Sequence, residues 1–118
     1  MIWGVVGSKG SLGSRLVTDL KSHGAEVREF HRSNLDTRVP ASVLASRLEG
    51  VAVLINAAAL TDVDFCEKHP REAYFSNGEV AKKLAEASFL SGSRFFQIST
   101  DFVFDGETDV PYNPSDST

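Results

Sequence analysis

Ile2-Trp3-Gly4-Val5-Val6-Gly7-Ser8-Lys9-Gly10-Ser11-Leu12-Gly13 is the stretch on which the reading of the whole chain turns. A short apolar run ends in glycine, and glycine then recurs at every third position, 7, 10 and 13. Leu12, Leu16, Val17 and Leu20 follow at the spacing of one helix face. The pattern is strand, glycine turn, helix. Small residues in such a turn let backbone N–H groups approach a pyrophosphate, and the helix N-terminus adds positive potential toward it. Gly7 is expected to make the tight turn, Gly10 to leave room for the close approach, and Gly13 to let the helix pack on the sheet. Three glycines alone would equally suit a plain surface turn. Their place between strand and helix favours the ligand. A nucleotide-hydrolysing P-loop is excluded by order, because Lys9 precedes Gly10 whereas that motif needs glycine, then lysine, then Ser or Thr.

Outward from this turn, the periodicities alternate. Gly24 ends the first helix, and Ala25 to Phe30 suit a second strand. Pro40 is placed to open a second helix, with Val43, Leu44 and Leu48 on its buried side and Gly50 just past its end. Val51 to Ile55 is apolar without alternation, as in a parallel strand covered on both faces. Pro70 precedes a long helical segment with Tyr74, Val80, Ala81, Leu84 and Ala85 as its apolar stripe. Glu79 and Lys83 are expected to pair on it, and Gly92 to close it. Arg94 to Ser99 reads as a fourth strand. The order β-α-β-α-β-α-β predicts an α/β fold, a doubly wound parallel sheet with right-handed crossovers, in one domain over residues 1–118. Beyond Ser99 the chain is polar and turn-rich, and no further element is predicted.

Composition narrows the function. The chain carries 12 Lys and Arg against 16 Asp and Glu, net charge −4, with no basic tract, which argues against nucleic acid as a partner. No run approaches the ~18 apolar residues of a membrane span, and Met1 to Val6 lacks the charged start of a signal peptide. Cys66 is alone, so no internal disulfide forms, and a reducing, cytoplasmic setting is expected. No metal site is expected either: Cys66 and His69 have no second ligand pair at zinc spacing. His23, at a helix end, reads as structural. Nothing resembles a nucleophile elbow, so hydrolase chemistry has no support.

Three blocks carry a family resemblance: the glycine turn at 7–13, Asn56-Ala57-Ala58-Ala59-Leu60-Thr61-Asp62-Val63-Asp64 after the third strand, and Ser99-Thr100-Asp101-Phe102-Val103-Phe104-Asp105-Gly106 after the fourth. The sequence resembles the extended short-chain dehydrogenases, with their NAD(P)-binding Rossmann fold, and more narrowly the dTDP-4-dehydrorhamnose reductase family. The resemblance covers the whole chain but only the N-terminal part of the family's fold. It implies reduction of dTDP-4-dehydrorhamnose to dTDP-rhamnose by a nicotinamide cofactor. Cofactor contacts would come from Gly7, Ser8, Lys9, Gly10, Ser11, Leu12 and Gly13, from Ala57, Ala58 and Ala59, from Ser99, and from Asp36 near the adenine. Thr100 would touch the reacting sugar oxygen as a catalytic residue. Thr61, Val63, Asp101 and Phe102 would border the dTDP-sugar, with Phe102 standing where a tyrosine is usual. Each block also has a bland reading: a small-residue strand end under a helix for Ala57 to Ala59, and turn caps for Thr100 and Asp101.

The end of the second strand bears on cofactor choice. NAD-selective sites place an acid there, whereas arginine accommodates the 2′-phosphate of NADP. Here His31 stands where many relatives carry the acid and Arg32 follows, so NADP(H) is expected, with NAD(H) as the alternative. Glu29 would favour NAD if the register shifted toward it. The family's catalytic Tyr-x-x-x-Lys is not found: Tyr74 is followed at four by Gly78, and Tyr112 by Asp116. The chain is therefore expected to be the cofactor-binding N-terminal portion of a longer enzyme, inactive alone. Its last strand should present an open edge, with self-association as a homo-oligomer, disorder after about Phe104, or both. Two other readings stand beside the reductase. One is a nucleotide-sugar epimerase or dehydratase of the same superfamily. The other is a noncatalytic regulatory subunit like the beta subunit of methionine adenosyltransferase.

Overall fold

The apolar runs form the strands of one parallel sheet. The computed structural model describes all of residues 1–118, and its elements follow the predicted alternation. These are β1 (Ile2–Val6), α1 (Ser11–Ser22), β2 (Glu26–Phe30), α2 (Ala41–Arg47) and β3 (Val51–Asn56), then α3 (Val63–Lys68), α4 (Pro70–Tyr74), a π-helical turn (Phe75–Glu79), α5 (Val80–Ser91) and β4 (Arg94–Gln97). A 3-10 turn at Asp101–Val103 ends the sequence of elements. No helix is long and apolar enough to cross a membrane.

The strand order is β2-β1-β3-β4, all parallel. From β1 the chain steps one way to β2, then returns past β1 to β3 and on to β4. Right-handed crossovers in opposite directions put α1 on one face and α2 with α5 on the other. Leu44 of α2, Leu48 at its C-cap and Leu84 of α5 are fully buried with Leu54 of β3 on that second face, and α2 packs directly on α5. Burying each such side chain is worth about 1.5–3 kcal/mol, so this face supplies most of the cohesion.

Several boundaries and faces differ from expectation. Strand β2 starts at Glu26 rather than Ala25, and β4 stops at Gln97 rather than Ser99. The cause at β4 is its partner, because β3 ends at Asn56, whose side-chain amide donates to Gln97 Oε1 (2.9 Å) while its oxygen accepts from Ala58 N (3.1 Å). Val43 is 49% exposed, because α2 buries the Leu44–Leu48 line one position away. Tyr74 is 69% exposed, because the π-helical turn after it shifts the phase between α4 and the Val80–Leu84 stripe. Helix α3 was not foreseen. Asp62 caps it by accepting from Phe65 N at 2.9 Å, a signal readable in the sequence once Asp62 is taken as an N-cap.

Candidate functional site

The strand order reverses between β1 and β3, and in open α/β sheets the crevice beyond the strands' carboxyl ends at such a point is where ligands bind. The β1 turn is fixed from both sides. The amides of Gly7 and Ser8 donate to Phe30 O at 2.9 and 3.1 Å, and Ala57 N donates to Val6 O at 3.0 Å. Gly7 has φ +79°, and a Cβ there would stand 2.8 Å from Ala58 N, so both conformation and space require glycine. A Cβ at Gly13 would overlap the Gly7 carbonyl. Gly10 is different. Its φ is −74°, and a Cβ would meet only Gly7 O, at 3.2 Å. The fold makes a weaker demand for glycine at 10 than at 7 or 13, a single tight backbone contact that the Gly7 carbonyl could relieve by shifting a few tenths of an ångström, and the residue borders the cleft at the uncapped first turn of α1.

That space is a cleft of about 840 Å³, lined on one side by Gly7, Lys9 and Gly10, on the second by His31 to Ser33 and Leu35 to Arg38, and on the third by Ala57 to Ala59, Phe75, Ser76 and Val80. Three cations, Lys9, Arg32 and Arg38, meet one carboxylate, Asp36, in a protein whose net charge is −4. Arg32 makes no ion pair, whereas Arg38 grips Asp36 with both arms, Nε to Oδ1 at 2.9 Å and Nη2 to Oδ2 at 3.2 Å. The guanidinium holds the Asp36 carboxyl below the usual carboxylate range and raises Arg38 in return. Glu29 is engaged elsewhere, by Lys21 Nζ on α1 at 2.7 Å, and does not line the cleft. At the rim, the His31 amide donates to Asn34 Oδ1 (2.7 Å), Asn34 Nδ2 donates to Glu29 O (2.8 Å), and Ser33 Oγ contacts His31 Nδ1 (2.8 Å).

Beyond Ala59 the backbone is clamped. Leu60 N donates to Asn77 Oδ1 at 2.7 Å and Asn77 Nδ2 donates to Leu60 O at 3.0 Å, so one side chain in the π-helical turn holds both polar groups of Leu60. Cys66 Sγ donates to the same carbonyl at 3.5 Å, and His69 stacks on Phe65. Thr61 and Val63, at the start of α3, are exposed and outside the cleft. So are Ser99, Thr100, Asp101 and Phe102 past β4. Thr100 Oγ1 accepts from Phe102 N and donates to Asp101 Oδ1, both at 3.2 Å, in a local cap. Of the glycine-turn residues, Ser8 is buried beneath the turn, and Ser11, Leu12 and Gly13 lie on α1 away from the cleft. The structure thus gathers Gly7, Lys9, Gly10, His31, Arg32, Asp36 and Ala57 to Ala59, and leaves the other expected site residues outside.

Residues 2–118 match the family model described as RmlD substrate binding domain. The chain belongs to that family. This RmlD-family chain is 38% identical over 117 residues to a dTDP-4-dehydrorhamnose reductase of Streptomyces griseus, covering 98% of this chain and 38% of that protein. A dTDP-4-dehydrorhamnose reductase structure from Clostridium acetobutylicum superposes with a TM-score of 0.91 at 34% identity, over 99% of this chain and 42% of that one. A Bacillus anthracis reductase solved in complex with NADP gives 0.82 at 31% identity, over 92% and 39%. The RmlD-family chain therefore spans less than half the length of the relatives it matches.

Sequence reasoning missed part of the cleft wall. Thr37, Arg38, Phe75 and Ser76 line it without standing in any recognisable motif. It also misplaced Lys83: no Glu79–Lys83 pair forms, and Lys83 Nζ instead donates to Thr37 O (3.3 Å) and Arg38 O (3.2 Å) while lying 5.8 Å from the Phe75 ring centre. The reason is that the π-helical turn and α5 bring Lys83 within reach of two unpaired loop carbonyls, which an i,i+4 count cannot see.

Proposed function

We propose that the protein bearing these residues is an NADP(H)-dependent reductase of a dTDP-4-dehydro-6-deoxy sugar, converting dTDP-4-dehydrorhamnose to dTDP-rhamnose, and that this chain supplies its cofactor cleft. Gly10 carries the reading. Gly7 and Gly13 are glycine because the backbone around them leaves no room, but Gly10 opens onto the cleft with only one near neighbour. A glycine on which the fold makes the weakest demand of the three, at a helix N-terminus in a cleft with a cationic excess, suits a pyrophosphate. The family membership and the names of the relatives give the substrate class.

The cofactor supplies a hydride to the sugar's keto carbon, and the chain's residues bind and orient. In this reading the glycine turn takes the pyrophosphate, with Ser8, Ser11, Leu12 and Gly13 shaping it and Lys9 at its edge. Arg32, free of any partner, takes the 2′-phosphate beside His31, while Asp36 and the slot between Leu35 and Ala57 to Ala59 receive the adenine. Engagement of Glu29 by Lys21 removes the acid that would select NAD, so NAD(H) is the weaker ligand. Ser99 and Thr100 sit toward the nicotinamide, with Thr100 on the reacting oxygen, and Thr61, Val63, Asp101 and Phe102 border the sugar. No residue of this chain is assigned as proton donor. A cytoplasmic setting agrees with a lone Cys66 that has no disulfide partner in this chain.

Titration with NADPH and NADH tests the assignment. NADPH should bind at least about tenfold tighter, in line with one charge-assisted contact, and Arg32→Ala should erase the difference. Equal affinities in the unaltered protein, or tighter NADH, defeat it. Oxidation of NADPH by dTDP-4-dehydrorhamnose should require a chain with the full length of the relatives. Substantial turnover by the 118 residues alone would overturn the division of labour proposed here.

A further inference from the structure

The wall of the cleft from Leu35 to Arg38 belongs to no helix or strand, and little holds it in place. Leu35 is buried, and the side chains of Asp36 and Arg38 bond only within the pair. The hydrogen bonds that join this stretch to the opposite wall come from one side chain, Lys83 of α5, which reaches the carbonyls of Thr37 and Arg38 across 46 and 45 residues of sequence. The same ammonium lies over the ring of Phe75, 5.8 Å from its centre. Thr37, Arg38 and Phe75 all line the cleft, and Lys83 does not. It stands behind both walls and touches each.

We propose that Lys83 is a positioning residue for the nucleotide, setting the separation between the Thr37–Arg38 wall and the Phe75 wall. The proposal rests on the nucleotide reading above. The geometry favours a lysine: two carbonyl acceptors face one flexible ammonium, and the aromatic ring accepts the same cation on its face. The charge has a second effect. Lys83 adds positive potential behind Asp36 and so leaves the Asp36–Arg38 pair with a cationic surround, favourable to an anionic ligand that never contacts Lys83 itself. Glu79, one turn away on the same side of the chain, is not within ion-pair distance, so the ammonium is not neutralised locally.

The probe is 2′,5′-ADP, which carries the adenosine and both phosphates but no nicotinamide. Its affinity for the unaltered protein is compared with Lys83→Met, which keeps the stem and removes charge and donors, and with Lys83→Arg, which keeps both. Lys83→Met should weaken 2′,5′-ADP about tenfold, and Lys83→Arg should restore most of it. Amide hydrogen exchange measured alongside should quicken in Leu35 to Arg38 and stay unchanged in the ladder of β1 and β3. Unchanged affinity in Lys83→Met overturns the proposal. So does a loss of affinity accompanied by faster exchange in the ladder, which means general loosening, or a failure of arginine to rescue. Absence of 2′,5′-ADP binding by the unaltered protein would instead bring down the nucleotide reading, and this inference with it.

Discussion

The carboxyl ends of β1 and β3 and the carboxyl end of β4 lie on the same rim of one sheet, yet they are built in opposite ways. At β1 and β3 the turn is held by bonds between residues far apart in sequence: Gly7 and Ser8 to Phe30, Ala57 to Val6, Leu60 to Asn77. After β4, the last bond of that kind is Ile98 N to Asn56 O at 3.1 Å. From Thr100 onward every hydrogen bond spans seven residues or fewer, and no residue is buried. Phe104 and Tyr112 stack with ring centres 4.4 Å apart, and Tyr112 donates to Asp105, which also accepts from Glu107 N. The first region is shaped by the whole fold. The second is shaped by local bonds, and it carries Thr100 and Asp101, the residues proposed above to face the sugar. The difference places the long-range bonds on one side of the rim and only local ones on the other.

Substitutions should expose that asymmetry. The largest effect is expected at Gly13→Val, where any side chain overlaps the Gly7 carbonyl. The cost should exceed about 4 kcal/mol and abolish the thermal transition followed by circular dichroism. A folded Gly13→Val would mean that the turn is more yielding than its bonds imply. Gly10→Val comes next: the fold should survive, while NADPH affinity falls on the order of a hundredfold because the pyrophosphate's space is filled. Unchanged affinity in the folded variant removes Gly10 from the site. Asn77→Ala frees Leu60 N, leaves Leu60 O with only the weak Cys66 thiol as donor, and should cost about 1 kcal/mol in denaturant unfolding, with the slope unchanged.

On the β4 side, effects on stability should be small and effects on chemistry large. Thr100→Val in the full-length reductase should lower kcat and leave NADPH affinity intact, and wild-type turnover would return Thr100 to its role as a local cap. Tyr112→Phe should leave the melting temperature of the sheet unmoved. The Tyr112 hydroxyl is raised above its ordinary value by the hydrogen bond to Asp105, so that link is intact below pH ~10 and is lost as the pH rises through the shifted value. Asp105 is lowered by the same contact, and its share is lost as the pH falls through its own shifted value, below ~3.9. Absorbance titration of the phenol, with Tyr112→Phe as the reference, checks the upper limit.

The same asymmetry explains what the sequence made legible. Strand, turn and helix around Gly7 to Gly13 were readable because local pattern and long-range packing agree there. The direction of the sheet and its crossovers followed from the alternation of elements alone. His31 and Arg32 could be named because they stand at the end of β2, and Asp36 from the family resemblance, but the partnership of Asp36 with Arg38 could not, since two residues of irregular loop have no periodicity to read. Lys83 was drawn toward Glu79 by an i,i+4 rule that holds on an isolated helix and yields when loop carbonyls lie nearer. Asn77 lay hidden in the π-helical turn, whose extra residue breaks the count that would have set its face.

The central place of β1 has a consequence for how the chain folds as it is made. Val6 pairs with Phe30 on one side and with Asn56 on the other, fifty residues later in the sequence. At ~5–20 residues per second, a ribosome holds the second partner back for roughly 3–10 s after Val6 is joined to the chain. During that interval the apolar run Trp3 to Val6 has at most one neighbouring strand, and Leu54 and Leu84, which share the core with Val6, have not yet been made. Until Asn56 has cleared the exit tunnel, the apolar run of β1 is expected to stay open on its β3 side. Ribosome-bound chains arrested at successive lengths should lose protease sensitivity in Ile2 to Val6 only past that point, and earlier protection would show that the β1–β2 pair with α1 suffices.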